Sequence, residues 1–172
     1  MPDPQQQALC ADDARGYLEG AAQLVSSVPF CWLVTTDALD GTNARPMGRI
    51  LHHHDQHAWV IRFVTDMRSN KAAEILRSET IGLIVQDDAK QAFAWLTGSA
   101  GLLGGFEDVR RYWKDAYAAY FPSPEDQANV AFVEVRVERM ALWIKGVTPE
   151  PFGIRPTYLE RDAGDAWRRA QA

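Results

Sequence analysis

The sequence predicts a mainly β (α+β) domain: a small antiparallel barrel of six strands with helices at its margins. Three observations carry this. Runs rich in β-branched and aromatic residues recur between turn signals from Cys31 to Ile144. Their short spacings suit hairpins, which join antiparallel neighbours. The fifth run also holds Gly98 and Gly101 in its interior, where a closing sheet needs a bulge or a sharp bend.

In order, residues 1–10 are polar and proline-bearing and read as a flexible arm. Tyr17, Leu18, Ala21, Leu24, Val25 and Val28 mark one face of a helix, opened by Asp12-Asp13 and stopped before Pro29. Its expected role is to cover one end of the barrel. Residues 31–36 form the first strand, and Asp40-Gly41 is a turn signal. Residues 44–53 and 57–65 are expected to pair as a second hairpin around Asp55-Gln56. A helix follows, with Ser69 as N-cap and Ala72, Ile75 and Leu76 at i, i+3 and i+4. Residues 80–86 are the fourth strand, Asp87-Asp88-Ala89-Lys90 its turn, and 91–103 the fifth.

Val109, Tyr112, Trp113, Ala116, Tyr117 and Tyr120 then recur at helical spacing, an aromatic stripe suited to packing on the sheet. Pro122-Ser123-Pro124 breaks that helix, and 130–144 alternates as the sixth strand. The domain is expected to span 11–146. Residues 147–172 form a C-terminal extension with Pro149, Pro151, Gly153 and Pro156, and Asp165-Ala166-Trp167-Arg168-Arg169 reads as one helical turn. The extension is expected to wrap a partner subunit or to shape a pocket.

At 172 residues, 47% hydrophobic and 24% charged, the chain fits one ordinary globular domain. A net charge of −5 argues against a nucleic-acid partner, because neutralising phosphates needs a basic face. Cys10 and Cys31 form no CxxC, so neither a disulfide framework nor a zinc knuckle is indicated, and a reducing cytoplasm is the expected location. The N-terminus lacks the basic and apolar regions of a signal peptide, and no apolar run reaches the length of a membrane span. Six Trp residues are more than a core this size requires, and some suit an interface.

The stretch 58–76 concentrates the chemistry. An alternating strand ends at Thr65, a polar turn carries Arg68 and Ser69, and a helix begins near Lys71. A helix start presents unpaired N–H groups and roughly half a positive charge. With Arg68, Lys71 and the hydroxyls of Thr65 and Ser69 beside it, the turn is a cradle for a phosphate. The segment 42–50, with Arg45-Pro46-Met47, is its expected neighbour.

The ordered series Trp32-Leu33-Val34-Thr35-Thr36, Asp40-Gly41, Arg45-Pro46-Met47, Phe63-Val64-Thr65, Ser69-Asn70-Lys71, Gly98-Ser99-Ala100, Tyr112-Trp113, Tyr120-Phe121-Pro122 and Ala141-Leu142-Trp143 resembles the FMN-binding split-barrel family. Within it the chain is most similar to the general-stress-protein branch of the pyridoxamine 5'-phosphate oxidase-like proteins, over residues 11–145. The resemblance implies a Greek-key split barrel, a homodimer with two cofactor sites at the interface, and FMN as cofactor. It implies that Arg45, Ser69 and Lys71 hold the FMN phosphate, and that Pro46, Met47, Val64 and Thr65 lie along the ribityl chain and flavin ring. Trp143 would approach the cofactor of the partner subunit. Asn70 stands where the vitamin B6 oxidases carry an Arg, a missing cation for which Arg68 is the candidate substitute. Those enzymes also end in an Arg and a His two residues apart, which this chain lacks after Trp143, so oxidation of vitamin B6 itself is not expected.

Competing sites are weaker. His52, His53, His54 and His57 alternate in direction along a strand and read as a polar hairpin tip, not a metal site. No Gly-x-Ser-x-Gly, Gly-x-Gly-x-x-Gly or P-loop occurs, and no catalytic residue is nominated. Three readings of function follow: an FMN-dependent oxidoreductase acting on a small molecule with an unknown electron donor, a flavin-binding stress protein without turnover, or a haem- or F420-binding barrel.

Overall fold

The structure, a computed structural model, describes the backbone of residues 4–48 and 58–170 and the side chains of 14–48 and 58–170. The described elements are α1 (Pro4–Ser27), β1 (Phe30–Thr36), β2 (Thr42–Gly48), β3 (Val60–Asp66), α2 (Asn70–Arg77), β4 (Thr80–Asp87), β5 (Ala92–Leu103), α3 (Phe106–Tyr112), a 3-10 turn (Asp115–Ala119), α4 (Pro124–Ala128), β6 (Val130–Ile144), β7 (Thr157–Arg161) and β8 (Trp167–Ala170). All eight strands belong to one sheet in the order β2-β1-β4-β5-β6-β7-β8, with β3 paired to β6.

The 15-residue β6 is the spine. β5 runs along one of its edges, from Leu103 opposite Phe132 to Ala92 opposite Ile144. The other edge is shared: β3 pairs with Val130 to Arg136, and β7 with Arg139 to Leu142. β2 and β3 touch without forming a ladder among the described residues, so the barrel is split there and the sheet is not closed. The register of β5 on β6 shifts between Thr97 and Gly98. A Cβ on Gly98 would lie 2.0 Å from the Arg136 carbonyl oxygen, so glycine permits the close approach that bends the strand.

Four expectations are corrected. Among the described residues β2 does not pair with β3; β3 pairs with β6, a partner far along the chain that local pattern cannot reveal. The expected hairpin tip, with all four histidines, lies outside the described residues. The first helix begins at Pro4, not near Asp12, because proline suits a first helical turn and Gln, Ala and Leu extend it. The tail forms the hairpin β7–β8, with Asp165 left-handed (φ 66°) in its turn, so Trp167 to Arg169 are strand and not helix. Finally, the aromatic stripe is divided: Trp113 is extended (φ −60°, ψ 139°) and separates α3 from the 3-10 turn.

The main core lies between the sheet and α1, which contributes Ala14, Ala21, Leu24 and Val25 to Leu33, Leu83, Leu96 and Leu142. A second, aromatic core holds Tyr112, Phe121, Val130 and Phe132, with Val64 and Tyr117 at its margin. The stripe therefore does pack on the sheet, around Phe132, with Tyr112 edge-on at 5.5 Å. No described helix is long and apolar enough to cross a membrane.

Candidate functional site

β3 delivers its chain to a tight turn beside the aromatic core. Phe63 and Thr65 are buried, and past Asp66 the Met67 N–H donates to the Asn129 carbonyl at 2.8 Å. Ser69 is extended (φ −76°, ψ 151°) and caps α2: its hydroxyl accepts from the Ala72 N–H at 3.4 Å and donates to the Asp66 carbonyl at 2.6 Å. Thr65 Oγ1 stands 3.2 Å from Ser69 Oγ, so the two hydroxyls brace the turn from within. The N–H groups of Asn70 and Lys71, at the first two helical positions, have no carbonyl within the helix to receive them.

Arg45 arrives from β2 across the opening of the barrel. Its Nη2 donates to Glu74 Oε2 at 2.8 Å and its Nη1 to Thr35 Oγ1 at 2.8 Å. Thr35 in turn donates to the same Glu74 oxygen at 2.5 Å, and Asn43 Nδ2 donates to the other at 2.6 Å. β1, β2 and α2 thus converge on one buried carboxylate. Burial alone would raise the Glu74 carboxyl, but the hydrogen bonds from Thr35, Asn43 and Arg45, with the Arg45 charge, outweigh it and hold it below its ordinary value.

Lys71 is half-buried, one turn before Glu74. Among the described residues it has neither an ion-pair nor a hydrogen-bond partner. Burial and the nearby Arg45 charge push its ammonium below its ordinary value, against the weaker pull of Asp66 and Glu74. Two cations are thus held close together, one of them unpaired. That arrangement is costly unless an anion joins it.

Arg68, the candidate substitute cation, is ion-paired with neighbouring acids. Its guanidinium is 2.6 Å from Asp66 and 2.8 Å from Asp126, with Glu125 at 3.6 Å, and it fastens the turn to α4. Leu76, expected on the buried face of α2, is 68% exposed, while Glu74 is 8% exposed. The buried face of α2 is thus Ala72, Glu74 and Ile75, with Glu74 admitted by the polar network.

Of the residues nominated from sequence, Arg45, Thr65, Ser69, Asn70 and Lys71 come together at this corner. Val64 turns into the aromatic core and Met47 packs on the main core. Pro46, on the opposite face of β2 from Arg45, lines an outer groove with Phe30, Trp32 and Ile84. Trp143 lies twelve residues further along β6 than Ala131, the ladder partner of Thr65, roughly 40 Å of extended chain. It is not part of the same chain's cradle. Thr35, Asn43 and Glu74 were missed. Thr35 and Asn43 face each other across the β1–β2 ladder, and Glu74 follows Lys71 at i+3, a spacing that puts both on one helical side.

Comparison with known proteins places the fold. The family described as pyridoxamine 5'-phosphate oxidase like matches residues 18–149. No curated protein matches. Among solved structures, a Clostridium acetobutylicum protein related to general stress protein 26 superposes with a TM-score of 0.68 at 18% identity, over 84% of this chain and 94% of its own. A pyridoxamine 5'-phosphate oxidase-related, FMN-binding protein of Nostoc punctiforme gives 0.59 at 16% identity, over 100% of both chains. PhzG of Burkholderia lata, solved with tetrahydrophenazine-1-carboxylic acid, gives 0.60 at 15% identity, over 84% of this chain and 81% of its own. At these identities the likeness is one of fold.

Proposed function

The chain belongs to the pyridoxamine 5'-phosphate oxidase-like family, and on that premise we propose that it binds FMN and serves as a flavin-dependent oxidoreductase. The observation that carries the reading is the unpartnered, half-buried Lys71 ammonium beside Arg45, at a helix start capped by Ser69. The donor set fits a phosphate monoester. Lys71 supplies the unpaired charge. The first amides of α2 point outward from the helix. Arg45, with two N–H groups committed, retains three of a guanidinium's five.

In this reading Arg45, Ser69 and Lys71 hold the phosphate end, and the adjoining strand ends of β2 and β3 direct the rest of the molecule along the split of the barrel. Bound there, FMN would supply hydride and single-electron chemistry. The chain's own part is to bind, orient and exclude water.

We also infer a homodimer. Phe30 (62% exposed) and Trp32 (44% exposed) stand on the outer face of the sheet beside Pro46 and Ile84, an apolar groove that a second copy would cover. Trp143 lies far from its own chain's cradle, which suits a role toward the cradle of another copy.

The test is a visible-absorbance titration of the purified protein with FMN, with FAD, F420 and haem in parallel, followed by addition of NADH or NADPH and then an electron acceptor. The reading expects saturation near one FMN per chain, bleaching by the reductant and recovery with the acceptor. Saturation without bleaching would leave a flavin-binding protein without turnover. Saturation by haem or F420 in place of FMN would overturn the reading.

A further inference from the structure

The carboxylate of Glu74 gathers three side chains beside the cradle, and nothing in a phosphate site requires a buried acid. It sits on α2 with 10% of its side chain exposed and receives hydrogen bonds from three side chains on two strands. The contacts form a closed ring: Arg45 donates to Thr35 and to Glu74, and Thr35 donates to that same Glu74 oxygen. A guanidinium held through both terminal nitrogens cannot rotate about its terminal bonds without breaking the ring. Its plane, and the direction of its remaining N–H groups, are set before any ligand arrives.

We propose that Glu74 is the positioning residue of the phosphate cradle, orienting Arg45 through the Thr35–Arg45–Glu74 ring, which Asn43 braces at the other carboxylate oxygen, so that its remaining donors face the ligand. The inference rests on reading the corner as a phosphate site. It has a consequence for charge. Glu74 cancels the Arg45 charge locally, so Arg45 acts by directed hydrogen bonding, while Lys71 supplies the net attraction. The two cations are therefore not equivalent: loss of Lys71 weakens attraction, and loss of Glu74 misdirects a donor that remains present.

The experiment is a double-mutant cycle read as the ratio of riboflavin to FMN dissociation constants, because riboflavin lacks the phosphate and a merely structural defect would weaken both ligands alike. Glu74→Ala is expected to lower the ratio by roughly tenfold or more, the scale of losing a group that orients a ligand-binding side chain. In an Arg45→Ala background it should produce no further fall. Glu74→Gln, which keeps an acceptor for Thr35 and Arg45, should lower the ratio less, and it stands in if the alanine variant fails to fold. An unchanged or increased ratio in Glu74→Ala, or an equal fall in both backgrounds, would overturn the proposal.

A ligand-free readout separates this from the flavin assignment. In the wild-type protein the Arg45 Nη protons should appear as distinct, slowly exchanging NMR signals, and Glu74→Ala should average them. If the wild-type protein shows those signals but binds no FMN, the flavin reading fails and the positioning of Arg45 survives. If its Arg45 signals are averaged like those of an exposed arginine, the positioning itself is refuted.

Discussion

An acid three residues after Lys71 on a short helix would ordinarily face solvent, yet Glu74 is buried and gathers Thr35, Asn43 and Arg45. That single side chain shows what a local reading can and cannot reach. Ser69 was legible as an N-cap because the capping pattern is contained within a few residues. Arg45 and Lys71 were legible as cations near a helix start. Glu74 was not, because its partners lie 29, 31 and 39 residues away and only the fold brings them together. The ion pair of Arg68 with Asp126 was out of reach for the same reason, since 58 residues separate them. At this scale the account makes a prediction on Lys71. Replacement by Ala should weaken FMN binding by about 1–3 kcal/mol, the worth of a charge-assisted hydrogen bond, measured by fluorescence titration. The pH dependence has a definite sign. Phosphate binds the ammonium form, and the free Lys71 titrates below its ordinary value of 10.5. Affinity should therefore be full below that lowered pKa and should fall as pH rises through it, before 10.5 is reached. Binding measured within that window should take up protons, and Lys71→Ala should remove the dependence.

Long alternating strands were readable as elements, while pairings distant along the chain and the short β7–β8 hairpin were not. β4, β5 and β6 follow from alternation and turn residues, and the bend in β5 follows from Gly98. β3 was recognised as a strand, but its partner β6 begins some seventy residues later, so its place in the sheet was assigned to the wrong neighbour. β8 was misread because Trp167, Arg168 and Arg169 form a run too short to show a period, and their strand state comes from pairing with β7 and from packing of Trp167 on Trp59 at 6.0 Å. Gly98 offers the test at this scale. A Cβ there meets the Arg136 carbonyl and the Val137 Cα, both backbone atoms that cannot rotate away. Gly98→Ala should cost about 3 kcal/mol of stability in denaturant unfolding. Gly101→Ala, where a Cβ meets nothing within 4 Å, should cost far less.

For the whole molecule, β2 and β3 form no ladder among the described residues, and the exposed ring of Trp32 beside Phe30, Pro46 and Ile84 leaves an apolar surface on the outer face of the sheet. If a second copy covers it, Trp32→Glu should convert a dimer to a monomer in light scattering while the isolated fold persists, because Trp32 is not part of either core. A wild-type protein that is already monomeric at micromolar concentration would remove the dimer from the account.

The central claim is that this corner grips a phosphate, and a calorimetric comparison of FMN with riboflavin on the wild-type protein tests it most directly. The account predicts FMN binding about a hundredfold tighter or more, since at least two charge-assisted contacts belong to the phosphate alone. Equal affinity for the two flavins would contradict it, because the unpaired Lys71 and the start of α2 would then be contributing nothing to the ligand.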